Sequence, residues 1–261
     1  MADQGHFTIV ILAAQREGRL DPLAAQAGVT HKCLVPIQGR PLLAHVLGAL
    51  ATIEGVDIIR IAVEPGAEEM LRPIADASGL PVAFVAAADT ITDSVYAAAA
   101  GSAGPVVITT ADNVLLTPAA VRRAADRLAS GDDMVIALAR KEDVLLAHPE
   151  GQRRFYRFRD GEFSNCNLYG VSRRGLVFAE TFREGGQFAK NPMRFARAVG
   201  FLNLVILRLG LMTLDRAMER LGRRFGLRVS ALVLADGAQA IDVDNQRTHR
   251  IAAELLDRRA A

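Results

Sequence analysis

The chain has 261 residues, of which 51% are hydrophobic, and its formal net charge at neutral pH is +2. This length and apolar content predict one large folded domain, 1–261, and the balanced charge gives no reason to expect a nucleic-acid partner. Aromatic residues make up 5% of the chain, so stacking platforms for single-stranded nucleic acid are not expected. Cys33 and Cys166 lie far apart in the sequence and are expected to be reduced thiols of a cytoplasmic protein.

The first predicted strand is an uninterrupted apolar run at residues 7–14. It begins so early that we expect no signal peptide. A polar loop follows that contains Arg16 and Arg19, and His31 and Lys32 come at its end. A buried strand that leads into a cation-bearing loop, at the first crossover of an α/β fold, is a common place for phosphates.

Strands and helices alternate through the rest of the first half. Strands are predicted at 57–63, 80–85, 105–110 and 134–139, and helices at 41–50, 67–77, 93–100 and 117–129. This alternation predicts an α/β fold with a doubly wound, mostly parallel sheet. We assign nucleotide binding to residues 1–140. Binding of a second substrate, the acceptor, is assigned to residues 141–261.

The pattern changes after Arg140. The Asp160-Gly161 turn separates residues 153–159 from residues 162–171, which predicts an antiparallel hairpin that joins or flanks the sheet. Helices are then predicted at 173–182, 192–207, 211–225 and 246–258, with strands at 229–234 and 240–244. The second half is therefore expected to be a hairpin with a helical C-terminal elaboration.

Three polar clusters fall at predicted strand ends: the loop with its cations, Asp112, and the pair Asp242 and Asp244. Ligands of open α/β sheets bind at the carboxyl ends of the strands. Cations combined with separated carboxylates suit phosphate transfer, because carboxylates hold Mg²⁺ while Lys and Arg neutralise a leaving pyrophosphate. We therefore predict a Mg²⁺ site held by Asp112 together with Asp244 or Asp242.

Several segments resemble the MobA-like nucleotidyltransferases, a family with a GT-A, Rossmann-like fold. Leu12-Ala13-Ala14 and the later Lys32 match its Leu-Ala-Ala-Gly-x-Gly-x-Arg and Pro-Lys motifs, and residues 107–118 match its metal-binding strand end. Residues 242–245 resemble its second metal contact. The resemblance covers most of residues 7–130 and, more weakly, 242–256. It implies transfer of a nucleoside monophosphate from an NTP to a phosphorylated small acceptor.

The resemblance also implies which residues bind the nucleotide. They are Leu12, Ala13, Ala14 and Gln15 at the end of the first strand, and Asp93 with Ser94 on the base side. Lys32 would stabilise the triphosphate together with an arginine. That arginine is Arg19 by strict spacing and Arg16 in an alternative register.

Two alternative functions stay open at this point. Gln15 and Glu17 stand where the family has glycines, whose amides approach phosphates closely, so a nucleotide-sensing or scaffold protein without activity is one alternative. A glycosyltransferase with a nucleotide-sugar donor is the other. Lys32 argues against the glycosyltransferase, because that lysine suits a pyrophosphate leaving group.

Candidate acceptor-binding residues lie in the second half. Asn165 and Asn167 are two apart on one face of a strand, in a segment that resembles the family's Asn-x-Gly strand beside the acceptor. Lys190 and Arg194 flank Asn191-Pro192 and are candidates for binding the acceptor's phosphate. We expect a phospho-sugar or phospho-alcohol acceptor, of the kind used in lipid-headgroup or glycan synthesis, with CTP or GTP as the donor.

Residues 195–225 form a long segment that is both apolar and basic. One interpretation is a pair of helices packed into the core. The other is a peripheral membrane or oligomer contact through Arg216, Arg220, Arg223 and Arg224. The apolar stretch 198–214 is shorter than a spanning helix needs and contains Arg208.

Overall fold

The computed structural model describes residues 6–15, 20–176 and 211–260, and an eight-stranded sheet forms their centre. The strands are β1 (Phe7–Leu12), β2 (Pro36–Ile37), β3 (Arg40–Pro41), β4 (Val56–Val63), β5 (Val82–Ala86), β6 (Val106–Thr110), β7 (Met134–Arg140), β8 (Tyr156–Phe158), β9 (Gly161–Val171) and β10 (Val229–Leu234). β2 and β3 form a separate hairpin. The main sheet has the order β10-β7-β9-β6-β1-β4-β5, and β8 pairs with β9.

The sheet is mostly parallel, as predicted. β1 pairs in parallel with β4 on one side and with β6 on the other. β9 is antiparallel to both β6 and β7. The predicted antiparallel hairpin, β8 and β9, therefore joins the sheet and places β9 in its interior between β6 and β7.

Helices cover both faces of the sheet. They are α1 (Pro22–Ala27), α2 (Leu42–Leu50), α3 (Glu68–Ser78), α4 (Ile91–Ala99), α5 (Pro118–Ala129), α6 (Lys141–Ala147), α7 (Leu214–Phe225) and α8 (Gln246–Ala260). Alternate side chains of β1 point to opposite faces of the sheet. Ile9 and Ile11 pack in the core with α2, α5 and α8. Val10 packs on the other face with α4 and α7. All three side chains are fully buried, which explains the uninterrupted apolar sequence.

Two short helices lie where the sequence analysis predicted none. α6 follows β7 directly, and α1 lies inside the predicted loop. The α1 helix begins where the Asp21 carboxylate caps the amides of Leu23 and Ala24, and it ends at Gly28 in the left-handed region. These cap signals are present in the sequence, but a six-residue helix is too short for hydrophobic periodicity to reveal it.

The predicted strand at 240–244 is wrong. A 3₁₀ helix, Gly237–Ala240, occupies its start, and the Asp236 side chain caps that helix. The residues that follow do not pair with a strand. The amide of Val243 donates instead to the carbonyl of Asp112, so this apolar segment is buried at the end of β6.

The α7 helix packs its apolar side chains into the core. Leu214 is buried, and Met218 and Leu221 pack against the sheet, while Arg216 and Arg223 are exposed. The core-packed interpretation is therefore confirmed for Leu214–Phe225, and the preceding residues 177–210 lie outside the described part of the chain. None of the described helices is long and apolar enough to cross a membrane. Peripheral contact through the arginines stays a prediction.

Candidate active site

The ammonium of Lys32 lies between two carboxylates at the carboxyl edge of the sheet. Its Nζ is 2.5 Å from Oδ2 of Asp112 and 2.9 Å from Oδ1 of Asp244. Lys32 opens a 3₁₀ helix, Lys32–Leu34, whereas Asp112 follows β6 and Asp244 precedes α8. Three of the predicted site residues, far apart in sequence, therefore meet at one point.

Backbone hydrogen bonds explain why these residues meet. The amide of Ala111 donates to the carbonyl of Leu12 at 3.0 Å, which places Asp112 beside the end of β1. The amide of Val243 donates to the carbonyl of Asp112 at 3.2 Å, and the Thr248 hydroxyl accepts from the amide of Asp244 at 2.9 Å. These bonds hold in place the two main-chain segments that carry Asp112 and Asp244, the carboxylates on either side of the Lys32 ammonium.

The charges of this cluster depend on one another. Burial alone would lower the pKa of Lys32, but the charges and hydrogen bonds of Asp112 and Asp244 outweigh burial and raise it above its usual value. Burial, reinforced by the charges of Asp112 and Asp244, raises the pKa of Asp242 well above its usual value. Lys32 and a hydrogen bond from Asn167 offset only part of that increase.

Asp242 is 8% exposed and is held by one neighbour. Its Oδ2 accepts a hydrogen bond from Nδ2 of Asn167 at 2.7 Å. Its Oδ1 is buried and has no hydrogen-bond partner among the described residues. An unpaired acceptor of this kind is costly inside a protein, and such an atom indicates a partner that arrives with a ligand.

The residues at this edge fit a magnesium ion. Oδ2 of Asp112 and Oδ1 of Asp244 already converge on one cation, the Lys32 ammonium. Within the described ranges, no group of three or more His, Cys, Asp and Glu side chains is arranged to hold a metal ion by itself. Mg²⁺ does not need such a cage, because it is usually bound by one or two carboxylates together with substrate phosphates and waters.

A bulge in β9 presents the predicted acceptor residues. Asn165 pairs with Leu138 and Tyr169 pairs with Ile136, so β9 carries two extra residues at this point. Asn167 lies at the bulge with φ of 45°, in the left-handed region that Asn tolerates better than most residues. The bulge allows Asn167 to reach Asp242 on the segment that precedes α8.

Asn165, Asn167 and Tyr169 form one polar network. Nδ2 of Asn165 donates to Oδ1 of Asn167 at 2.8 Å and to the hydroxyl of Tyr169 at 2.5 Å. Burial raises the pKa of Tyr169, so this hydroxyl keeps its proton. The sequence analysis missed Tyr169, although it is the third residue of the alternating series that starts at Asn165.

The other side of the β1 carboxyl end is built around Glu64, which follows β4. The Glu64 carboxylate accepts a hydrogen bond from the backbone amide of Gln15 and lies 3.7 Å from Nε2 of His31. The side-chain amide of Gln15 donates to the carbonyl of Thr30 at 2.8 Å. The amide at the start of the loop is therefore already paired and does not point freely at a phosphate. Sequence analysis missed Glu64, although it is an acid at a strand's carboxyl end.

The predicted base-side residues stabilise the start of α4. The hydroxyl of Ser94 accepts from the amide of Ala88 at 2.9 Å and donates to the carbonyl of Thr90 at 2.9 Å. The Asp93 carboxylate accepts from the Thr90 hydroxyl at 2.7 Å. These bonds hold the loop between β5 and α4, and the role of Asp93 and Ser94 in binding a base stays a prediction.

The remaining predicted residues fall into two groups. Leu12, Ala13 and Ala14 lie at the end of β1, where Ala13 is buried and Ala14 is exposed. Arg16, Arg19, Lys190 and Arg194 lie outside the described residues. Cys33 and Cys166 are both buried and unpaired, and burial raises the pKa of Cys33 to about 12, so neither is placed to act as a nucleophile.

The sheet order, together with charged groups gathered at its carboxyl edge, defines an α/β protein of the nucleotide-binding type. The model of the MobA-like NTP transferase domain matches residues 9–177, and the chain belongs to that family. The match includes Lys32, Asp112 and the β9 network, so the resemblance noted in the first half of the sequence is confirmed.

Three similar proteins accompany the family match. A 2-C-methyl-D-erythritol 4-phosphate cytidylyltransferase of Gloeobacter violaceus is 33% identical over 128 residues, which cover 47% of this chain and 55% of that protein. The chain therefore spans about half the length of this curated relative. A hypothetical transferase from Thermus thermophilus has a TM-score of 0.74 at 29% identity, covering 94% of this chain and 99% of the other.

A third likeness concerns the fold alone. The 4-diphosphocytidyl-2C-methyl-D-erythritol synthase of Anaerococcus prevotii has a TM-score of 0.61 at 11% identity and covers 98% of this chain and 97% of the other. At such low identity the comparison supports the arrangement of strands and helices over nearly the whole length. It carries no residue-level argument.

Proposed function

We propose that this protein is a Mg²⁺-dependent nucleotidyltransferase that transfers a nucleoside monophosphate from an NTP to a phosphorylated small acceptor and releases pyrophosphate. The observation that carries the proposal is the meeting of Lys32 with Asp112 and Asp244 at the carboxyl edge of the sheet. An ammonium beside two carboxylates supplies both charges that a triphosphate reaction needs. Membership of an NTP transferase family supports the same reaction.

In this proposal the acceptor's phosphate attacks the α-phosphate of the NTP, and pyrophosphate leaves. Asp112 and Asp244 hold the metal ion, which when bound supplies positive charge to the phosphate oxygens. Lys32 neutralises the departing pyrophosphate, together with Arg19 or Arg16 from the loop. The protein needs no nucleophile of its own, because orientation and electrostatic stabilisation suffice for this reaction.

CTP is the preferred donor in this proposal, with GTP as the second choice. The preference for CTP follows from the Gloeobacter violaceus relative, which is named as a cytidylyltransferase. Ala13, Ala14 and the loop held by Ser94 flank the carboxyl end of β1, and we place the nucleoside there. Gln15 contributes through its side chain, since its backbone amide is bonded to Glu64.

The acceptor is a phospho-alcohol or phospho-sugar with free hydroxyls. Asn165, Asn167 and Tyr169 offer amide and hydroxyl groups on the β9 side of the metal-binding carboxylates. Lys190 and Arg194 stay candidates for the acceptor's phosphate. Hydroxyl groups of such an acceptor would give hydrogen bonds to the buried oxygens that lack them, Oδ1 of Asn165 among them.

The direct test is a pyrophosphate-release screen of four NTPs against a panel of phospho-alcohols and phospho-sugars, with Mg²⁺ and with EDTA. We expect release with CTP and one acceptor class, lost in EDTA and in Asp112→Asn. Asp126→Asn, an exposed carboxylate on α5, is the matched control and should keep full activity. NTP binding in a thermal-shift titration without release for any acceptor would favour a sensor. Turnover of nucleotide-sugars would favour a glycosyltransferase.

A further inference from the structure

Lys32 occupies the oxygens that the proposed function assigns to a metal ion. Its Nζ contacts Oδ2 of Asp112 at 2.5 Å and Oδ1 of Asp244 at 2.9 Å. An ammonium and a divalent cation repel each other strongly at such separations, and more so where water is partly excluded. Both cations therefore compete for the same pair of carboxylates.

The lysine side chain can leave while its backbone stays. The backbone is fixed by a 3₁₀ turn, in which Leu34 donates to the carbonyl of His31 and Val35 to that of Lys32, and by the buried side chain of Cys33. The ammonium is carried on a flexible four-carbon stem. Asp244 is 67% exposed, so the ammonium has an open path on that side.

A separate observation indicates that Lys32 leaves part of this cluster without a partner. Asp242, 8% exposed, keeps a buried Oδ1 with no hydrogen-bond partner among the described residues. Asp242 stands two residues before Asp244, so Lys32 leaves an acceptor of the same segment unpaired.

We propose that Lys32 is a tethered counter-ion that keeps the Asp112–Asp244 pair closed to free metal ions until a triphosphate draws the ammonium away. The triphosphate part of this inference rests on the proposed function, whereas the competition between lysine and metal does not. The consequence is an order of binding. Metal enters the site with the nucleotide rather than before it, so free Mg²⁺ does not occupy the site unproductively.

The test measures metal affinity in the absence of nucleotide. Purified full-length protein is titrated with Mn²⁺, and the free aquo ion is followed by electron paramagnetic resonance. We expect Lys32→Gln to bind Mn²⁺ at least tenfold more tightly than wild type. Lys32→Arg keeps the positive charge and should bind Mn²⁺ with the same affinity as wild type. Lys141→Gln is the matched control, because Lys141 also pairs with a carboxylate, Glu162, at 2.6 Å but lies outside the site.

Further variants locate the effect and guard against misfolding. The double variant Lys32→Gln with Asp112→Asn should lose the gain in affinity. Lys32→Met, which has no oxygen to bind the metal, should reproduce the gain of Lys32→Gln, and Mg²⁺ should raise the melting temperature of both more than that of wild type. Cooperatively folded Lys32→Gln and Lys32→Met variants that bind Mn²⁺ no more tightly than wild type would overturn the proposal.

The outcome is distinguishable from failure of the proposed function. Pyrophosphate release by wild type without any gain in Mn²⁺ affinity in the Lys32 variants would remove the counter-ion role and leave the reaction in place. A gain in Mn²⁺ affinity without pyrophosphate release under any condition would confirm the competition for the carboxylates and remove the nucleotidyltransferase assignment. A structural role of Lys32 alone predicts weaker stability and no tighter metal binding.

Discussion

The two sides of the β1 carboxyl end differ in how their charges are paired. On the β6 side, Asp112 and Asp244 share the ammonium of Lys32, and their contacts come from three distant segments. On the β4 side, Glu64 is paired with a backbone amide and lies near His31. The β6 side therefore carries opposite charges that a ligand can rearrange, whereas the β4 side uses its carboxylate to fix the loop.

Under the proposed function, this difference explains how a loop without the family's glycines could still serve a phosphate substrate. In a glycine-rich loop the backbone amides themselves approach the phosphates. Here the amide of Gln15 is bonded to Glu64, which leaves charged side chains to balance a triphosphate. We therefore expect the β6 side to dominate activity and the β4 side to adjust affinity.

The largest expected effect comes from Asp112→Asn. The substitution keeps the shape of the side chain but removes the charge that holds both Lys32 and the metal ion. Pyrophosphate release should fall by about 1,000-fold, comparable to the loss of a strong transition-state contact. Steady-state kcat and a thermal melt are the measurements. Near-normal turnover in a folded variant would show that the β6 side does not carry the reaction.

The Asn167 position tests whether the β9 bulge supports the β6 side. Both Asn167→Ala and Asn167→Gly leave the carboxylate of Asp242 without its amide, which costs about 1–3 kcal/mol. The alanine must also adopt a left-handed φ, so it should be about 1 kcal/mol less stable than the glycine variant. Urea unfolding in EDTA measures both values. Equal stabilities would mean that the bulge relaxes when the amide is removed.

The pH dependence of the unfolding free energy should reveal the raised pKa of Asp242. Its pKa is raised in the folded state, so the folded protein binds this proton more tightly than the unfolded chain. Stability then falls as the pH rises from about 4, the unfolded value, through the folded pKa, by about 1.4 kcal/mol for each unit between them. Asp242→Asn removes this loss. The unfolding free energy of the variant, measured in EDTA, should therefore increase relative to that of wild type as the pH rises from 4 to 8.

A wild type and an Asp242→Asn variant with parallel pH curves would contradict that expectation. Asp126→Asn, on the exposed face of α5, is the control that removes a carboxylate away from the site. The comparison must be made without metal, since a bound cation would stabilise the ionised carboxylate.

The smallest effect is expected on the β4 side. Glu64→Gln removes a negative charge beside the start of the loop but leaves an oxygen that can accept from the Gln15 amide. Relief of repulsion should lower the KM for the NTP about twofold to threefold, with kcat nearly unchanged. Glu219→Gln on α7 is the control and should have no effect. A large loss of kcat in Glu64→Gln would mean that the β4 side contributes to catalysis as well as the β6 side.

Local sequence patterns determined the elements and the candidate site. The apolar run of β1, the alternation of later strands and helices, and the Asp160-Gly161 turn each depend on neighbouring residues, and each prediction was confirmed. Sequence analysis also singled out Lys32, Asp112 and Asp244, and the structure brings their side chains together. Asp244 follows a 3₁₀ helix, however, and not the strand predicted there. The division of the chain near residue 140 stays a prediction.

Tertiary structure alone decided the features that depend on distant partners. Residues 240–244 have an apolar, strand-like sequence, but the amide of Val243 bonds to Asp112 rather than to a strand. The interior place of β9, the left-handed Asn167 and the bond between Glu64 and the Gln15 amide all arise from pairing across many residues. Local periodicity reports which side of an element is buried, but it holds no information about which distant group supplies a hydrogen bond or a charge. For that reason the ion pairs of Lys32 became visible only in the folded chain.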